Sequence, residues 1–516
     1  MDNKSSVLFI SLIAFLAGCG ATGISRCDFP KQFVFGTASS AYQYEGGAKQ
    51  GGRKPSIWDK FSHTFGKILD GSNGDVAEDQ YNRYQEDILL MKELGIDAYR
   101  FSISWSRIFP GKYGAAFKRY LNLYCNADGN TTQVNAEGVN HYNGFINALL
   151  ANNIEPYVTL YHWDLPQALE DSIGGWLSSE IVNRFAAYAD ACFNAFGDRI
   201  KYWITFNEPQ SFATSGYDLG IHAPGRCSIL LCSKGNSATE PYAVAHNVLL
   251  SHAAAVRIYR TKYQARQGGT IGITLNSFWY EPLSNSTNNI AAAQRALDFE
   301  LGWFLDPIVY GEYPAVMRDY VGHRLPMFTE EQRSSLLLSI DFLGLNHYTT
   351  NFASALPPPL IKNWTDYFQD SRVFRTASRG GVSIGRRAAS VWLYDVPWGF
   401  RKLVSYVTHR YNQLPIIITE NGMDQSSFLS RSSALHDSHR IDFHSNYLSN
   451  LSAAIRDGAD VRGYFVWSML DNWEWSAGFT SRFGLYYVDY RDNLKRCPKA
   501  SAAWFTNFLN QTCAYR

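Results

Sequence analysis

The fold class that the sequence predicts is α/β, a single (β/α)8 TIM barrel with long strand-to-helix loops. Two observations predict it. Short β-branched or aromatic runs recur eight times along the 516 residues. Each leads through a loop into a segment whose apolar residues recur at three- and four-residue spacing, as on one face of a helix. Strand alternating with helix eight times points to one closed parallel barrel around one core, here spanning about residues 27–510. An open doubly wound sheet is the alternative. No GxGxxG turn follows the first strand, and "GGAKQGG" is neither that nor a P-loop, so a nucleotide cofactor has no support and none is expected.

The strand runs, in order, are "FVFGTASS", "AYRFSISW", "PYVTLYHW", "YWITFNEP", "TIGITLNS", "DFLGLNHY", "PIIITENG" and "GYFVWSML". Between them lie helix-like stretches such as "YNRYQEDILLMKELG", "HYNGFINALLANN" and "EIVNRFAAYADACFNAFGD". Hydrophobic residues make up 46 % and charged ones 18 %, with a net charge of +1. That leaves no global field for nucleic acid or an acidic membrane, so the partner expected is a small molecule. Aromatics reach 15 %, an excess that a core can absorb and that also suits flat apolar ligands such as sugar rings.

One Lys precedes "VLFISLIAFLAGCG", too short to span a bilayer but the length of a secretory h-region, so residues 1–22 read as a signal peptide. No membrane association is expected after its removal. A lipobox at Cys19 is the lesser reading, because sequons at Asn130, Asn285, Asn363, Asn450 and Asn510 suit a eukaryotic glycoprotein that is secreted or vacuolar. The C-terminal "CAYR" carries no retention signal of the Lys-Asp-Glu-Leu type. Eight cysteines do not make a disulfide framework in so long a chain, but Cys227 and Cys232 bracket "SILL" and could close a short bridge. No Cys/His spacing resembles a metal site.

In a barrel of this kind the C-terminal strand ends form one mouth, and residues there are site candidates. They are Gln43 and Glu45 after strand one, His162 and Trp163 after strand three, Asn207 and Glu208 after strand four, and Asn346 and Tyr348 after strand six. Strand seven contributes Glu420 and Asn421, and strand eight Trp467, with Glu474 and Trp475 beyond it. No Ser or Cys sits in a nucleophile elbow, which argues against acyl transfer. The carboxylates of strands four and seven are expected on opposite sides of the ring, facing each other across a ligand, as glycosidic bond cleavage requires, one as proton donor and the other to support charge at the anomeric carbon. A loop Glu usually just caps or pairs with Arg. Two glutamates in matching strand-end positions, each beside Asn, shift the balance toward chemistry.

Taken together, "FVFGTASSAYQYEG", "YRFSISWSRIFP", "TLYHWDLPQAL", "TFNEP", "IITENG" and "WSMLDNWEW" followed by "RFGLYYVDY" resemble plant β-glucosidases of glycoside hydrolase family one, from about Phe29 to Phe505. The resemblance implies a retaining mechanism, with Glu208 as acid/base and Glu420 as nucleophile. It implies Gln43, His162, Asn207, Glu474 and Trp475 as partners of sugar hydroxyls, Trp467 as stacking floor, Phe483 as a further substrate contact, and Tyr348 orienting Glu420. Trp392 matches an aglycone wall, or else packs the barrel rim. Cys227 and Cys232 match a loop disulfide of the plant members, while Cys27, Cys497 and Cys513 remain unassigned. Glu474 stands where 6-phospho-sugar relatives lack an acidic residue, which favours an unphosphorylated β-D-glucoside, or a fucoside or galactoside. Glu208 stands where plant thioglucosidases carry Gln.

The resemblance breaks at "GKYGAAFKRYLNLYCNA", an extra 17 residues from Gly111 to Ala127. A lid at the mouth is one reading. An intron translated in frame is the favoured one, because the resemblance resumes immediately on either side. Besides hydrolysis, two alternatives stand: transglucosylation, and a catalytically impaired glucoside-binding relative.

Overall fold

The computed structural model describes residues 23–110, 134–358 and 365–513. The expected signal peptide, the 111–127 insertion, and the sequons at Asn130 and Asn363 lie outside these described residues. All eight predicted runs are strands of one barrel: β1 (Val34–Ala38), β2 (Ala98–Ser102), β3 (Glu155–Tyr161), β4 (Tyr202–Asn207), β5 (Thr270–Asn276), β6 (Phe342–Asn346), β7 (Ile416–Asn421) and β8 (Val461–Val466). Neighbours pair in parallel, and the ring closes where β1 meets β8, with Val34 opposite Gly463 and Thr37 opposite Val466. That pairing removes both sheet edges and excludes the open doubly wound alternative.

The strands read as continuous apolar runs because both faces are covered, the inner by barrel side chains and the outer by helices. Every residue of β2, β6 and β7 is buried. The outer layer includes α1 (Gln80–Leu94), α2 (Ala136–Ala151), α3 (Ile181–Phe196), α4 (Pro209–Tyr217), α5 (Glu240–Ile258), α6 (Thr287–Leu297), α7 (Pro397–Arg410), α8 (Ser438–Arg456) and α9 (Ala500–Leu509). Local chemistry sets their ends. Gly95, at φ 82°, closes α1 by donating its N–H to the Met91 and Lys92 carbonyls, and the Ser286 hydroxyl caps α6 by accepting from the Asn289 N–H.

Phe508 of α9 packs edge-on against Phe29 and Phe35, which brings the two ends of the described chain together below the barrel. A disulfide between Cys27 and Cys513, 486 residues apart, fixes them there. The second disulfide is the expected Cys227–Cys232 bridge. Sequons Asn285 and Asn510 are exposed, whereas Asn450 sits inside α8 with its amide donating to the Asn446 carbonyl. Above the barrel, loops after β5 and β6 build a three-stranded sheet (Trp279–Pro282, Thr350–Ala355, Val373–Thr376) along one side of the mouth. Among the described residues, no helix is long and apolar enough to cross a membrane.

Candidate active site

The strand ends converge on a cavity of about 370 Å³, a size suited to a sugar plus part of a leaving group. Its lining includes His162, Trp163, Asn207, Glu208, Asn346, Tyr348, Trp392, Glu420, Trp467, Glu474, Trp475 and Phe483. Of the expected substrate residues, only Gln43 stands behind this wall. It is fully buried and reaches the site through Glu474, to whose Oε2 its Nε2 donates at 3.2 Å. Among the described residues no group of His, Cys, Asp or Glu could hold a metal ion.

Glu420 ends β7, 4 % exposed. Its Oε1 accepts from Arg100 Nη1 at 2.6 Å and its Oε2 from the Tyr348 hydroxyl at 2.6 Å. Burial, then the charges of Glu420 and Glu208, hold Tyr348 well above the usual phenol range, so it is a neutral donor. Arg100 lies inside β2 with no exposure and also donates to Asn207 Oδ1 at 2.7 Å and to the Thr159 hydroxyl at 3.2 Å. A charge buried at that depth must be paired, and Glu420 is its ion-pair partner. The Gly after "TEN" has a steric reason. A methyl group on Gly422 would lie 2.0 Å from the Trp467 carbonyl oxygen, so only Gly lets the β7 end pass beside the β8 end.

Glu208 follows β4 at φ 45° and immediately precedes Pro209, the first residue of α4. Its Oε1 accepts from Asn346 Nδ2 at 2.7 Å and its Oε2 from the Ser211 hydroxyl at 2.7 Å. Burial first, then the charge of Glu420, push its carboxyl from the ordinary 4.5 up to about 7, against the Asn346 and Ser211 hydrogen bonds and the Arg100 charge. That rise corresponds to roughly 3 kcal/mol disfavouring the carboxylate. The N-terminus of α4 favours an anion by only about 0.3–1 kcal/mol, so desolvation wins and Glu208 keeps its proton near neutrality. Trp163 (φ 78°) and Trp475 (φ 50°) share its left-handed backbone. Three strained residues in one cavity wall, at about 1–3 kcal/mol each, mark a place where the fold holds side chains against local preference.

The two carboxylates are linked through Asn207, whose Oδ1 accepts from Arg100 beside Glu420 and from Asn346 beside Glu208 at 3.1 Å. Asn207 Nδ2 donates to His162 Nε2 at 2.9 Å. Burial and Arg100 hold the His162 ring well below its usual range, so it is neutral and carries its proton on Nδ1, which has no protein partner among the described residues. Glu474 is pushed up to about 8 by burial and by the charges of Glu420 and Asp424. Trp392 is 41 % exposed at the mouth, stacks parallel to Phe278 at 6.0 Å, and meets Tyr348 edge-on at 5.8 Å. It stands in the cavity wall rather than packing within the rim.

Two strand-end candidates belong to other networks. Glu45 turns away beyond the single helical turn Ala41–Tyr44 and pairs with Arg107 and the Tyr142 hydroxyl. Asn421 braces the barrel, donating to the His347 carbonyl and accepting from the Tyr464 hydroxyl. Sequence reasoning missed Arg100 and Ser211. An Arg inside a run otherwise destined for burial was the signal for the first; nothing marked the second.

A family model described as glycosyl hydrolase family 1 matches residues 25–513. The chain is 58 % identical over 501 residues to β-glucosidase 40 of Arabidopsis thaliana, covering 96 % of this chain and 95 % of that one. It is similar to a rice β-glucosidase mutant solved in a covalent complex with glucose, with a TM-score of 0.89 and 55 % identity over 95 % of this chain and 100 % of the other. It also resembles a β-glucosidase of the fungus Humicola insolens in complex with glucose, with a TM-score of 0.86 and 41 % identity over 93 % and 98 % of the two chains. With these matches over nearly its whole length, the chain belongs to glycosyl hydrolase family 1 and is a glycoside hydrolase.

Proposed function

We propose that the protein is a retaining β-glucosidase that releases terminal β-D-glucosyl residues from small-molecule glucosides. The observation carrying this reading is a pair of buried carboxyls in one cavity, Glu420 held by Arg100 and Tyr348, and Glu208 raised to about 7 first by burial and then by the charge of Glu420. In the first step, Glu420 attacks the anomeric carbon while Glu208 passes its proton to the glycosidic oxygen. The carbon–oxygen bond to the aglycone breaks, and the aglycone leaves as a neutral alcohol or phenol. Glu420 is now a neutral ester, so one cause of the raised Glu208 value disappears. In the second step, Glu208 as carboxylate takes a proton from water, whose oxygen attacks the same carbon and frees Glu420. Two inversions give net retention. The rice relative's covalent complex with glucose supports the ester intermediate.

The other residues are assigned the roles that the family resemblance implies, and their places in the cavity support them. Arg100 and Tyr348 hold Glu420 by one oxygen each, which fixes the nucleophile before substrate arrives. Asn207 is placed for the sugar 2-hydroxyl, where a hydrogen bond strengthens as positive charge develops at the anomeric carbon. His162, Trp475 and Glu474, backed by Gln43, bind the remaining hydroxyls, Trp467 provides the ring floor, Phe483 adds an apolar contact, and Trp392 faces the aglycone. The carboxyl of Glu474 disfavours a phosphorylated sugar. Disulfides Cys27–Cys513 and Cys227–Cys232 support maturation in an oxidising, secretory compartment.

The test is hydrolysis of an aryl β-D-glucoside by the mature protein, by a form lacking residues 111–127, and by Glu420→Ala and Glu208→Gln in each background. Turnover lost by about three orders of magnitude or more in Glu420→Ala is expected. No turnover in either parent form would remove the β-glucosidase reading.

A further inference from the structure

Behind the cavity lies a buried acid that the mechanism does not use. Glu300, 4 % exposed, sits in a single π-helical turn (Asp298–Gly302) between α6 and the next helix, an irregularity often kept for function. Its Oε1 accepts from the Phe278 backbone N–H at 2.8 Å, and its Oε2 accepts from the Tyr280 hydroxyl. Phe278 is the cavity-wall ring stacked on Trp392. Arg375 supplies the opposing charge without a direct ion pair: its guanidinium lies over the Tyr280 and Phe368 rings at 5.2 and 5.4 Å. The same network reaches the wall at a second point. The Tyr367 hydroxyl donates to the Phe299 carbonyl at 2.8 Å and accepts from Gln210 Nε2, while Gln210 Oε1 accepts from the cavity residue Asn276.

We infer that Glu300 is a positioning residue for the leaving-group side of the site, setting Phe278 against Trp392 and thereby selecting flat, bulky aglycones. The inference rests on the β-glucosidase reading above. Its physical basis is that a buried carboxyl group accepting from one backbone N–H and one hydroxyl fixes the loop after β5 at Phe278, the residue that enters the wall. It has a kinetic signature that a general structural role lacks. Once the aglycone has departed, the wall has nothing to hold, so only the first chemical step depends on Glu300.

The experiment compares the parent protein with Glu300→Leu and Glu300→Gln on a naphthyl β-D-glucoside and on methyl β-D-glucoside, with pre-steady-state separation of glucosylation from deglucosylation. Glu300→Leu is expected to lower kcat/KM for the naphthyl substrate at least 10-fold while changing the methyl substrate and the deglucosylation rate less than 2-fold. Glu300→Gln, which keeps an acceptor for the Phe278 N–H, should recover only part of the loss and leave a shift of about 3-fold in the naphthyl-to-methyl ratio. Phe278→Ala should reproduce the selectivity change and add little to Glu300→Leu. Equal losses on both substrates, or unchanged selectivity in a folded variant, would overturn the inference. If Glu300→Leu does not fold, Glu300→Gln decides alone, by a shift of about 3-fold in the naphthyl-to-methyl ratio or none. If the parent cleaves neither substrate, the β-glucosidase reading fails. Calorimetric binding of uncleaved naphthyl and methyl β-D-thioglucosides then decides the role of Glu300 by the same ratio.

Discussion

Replacing Glu420 with Gln removes a charge and keeps the shape, and it should bring the Glu208 carboxyl down. Burial and the Glu420 charge, in that order, raise Glu208 from 4.5 to about 7. At the roughly 5.5 Å carboxyl separation that retaining glycosidases use, and an effective dielectric of about 20, two like charges repel by about 3 kcal/mol, or about 2 pKa units. That figure is an upper bound, because Arg100 offsets part of the repulsion and burial is the larger cause. A fall of about 1–2 units is therefore expected. The assay is a 13C NMR titration of glutamate-labelled Glu420→Gln, with Glu208→Gln to assign the resonance. In the proposed mechanism, esterification of Glu420 would make the same change in charge, so the titration measures the force that would turn Glu208 from acid into base. A value still near 7 in the variant would mean that burial alone sets it, and the two-role argument would fail.

Three further outcomes follow from the same contacts. Arg100→Met strands a buried carboxylate and should cost about 3–5 kcal/mol of stability, read as a lower melting temperature, with kcat/KM down by at least 100-fold. Cys513→Ser opens a closed loop of 486 residues, for which chain entropy allows at most about 6 kcal/mol and typical removals cost about 2–5; calorimetry of the variant against the parent, both without reductant, reads the drop. Glu474, held near 8 against an ordinary 4.5, binds its proton more tightly when folded. Its contribution to stability is full below about pH 4.5 and is lost as pH rises through 8, so Glu474→Gln should flatten the fall in melting temperature between pH 5 and 8.

All eight strands were legible because barrel strands buried on both faces must be apolar throughout, and the loops after them break that pattern sharply. The glutamates were legible for a related reason. A carboxyl at the end of an apolar run can only lie at the mouth. What escaped depends on pairings distant in sequence. Arg100 meets Glu420 across 320 residues and Cys27 meets Cys513 across 486; the Arg stands out inside β2, but nothing local names the partner in either pair. Glu45 was misplaced by a single helical turn, which sends Gln43 toward Glu474 and Glu45 toward Arg107. Strand seven stands three places from strand four in the ring, not opposite it, so the carboxyls face each other because their side chains lean into one cavity.

The central claim is a double displacement through Glu420, and stereochemistry tests it most directly. Proton NMR of the first glucose released from an aryl β-D-glucoside, recorded before mutarotation, should show the β anomer. The α anomer appearing first would contradict the account, because it requires a single displacement by water with no ester on Glu420.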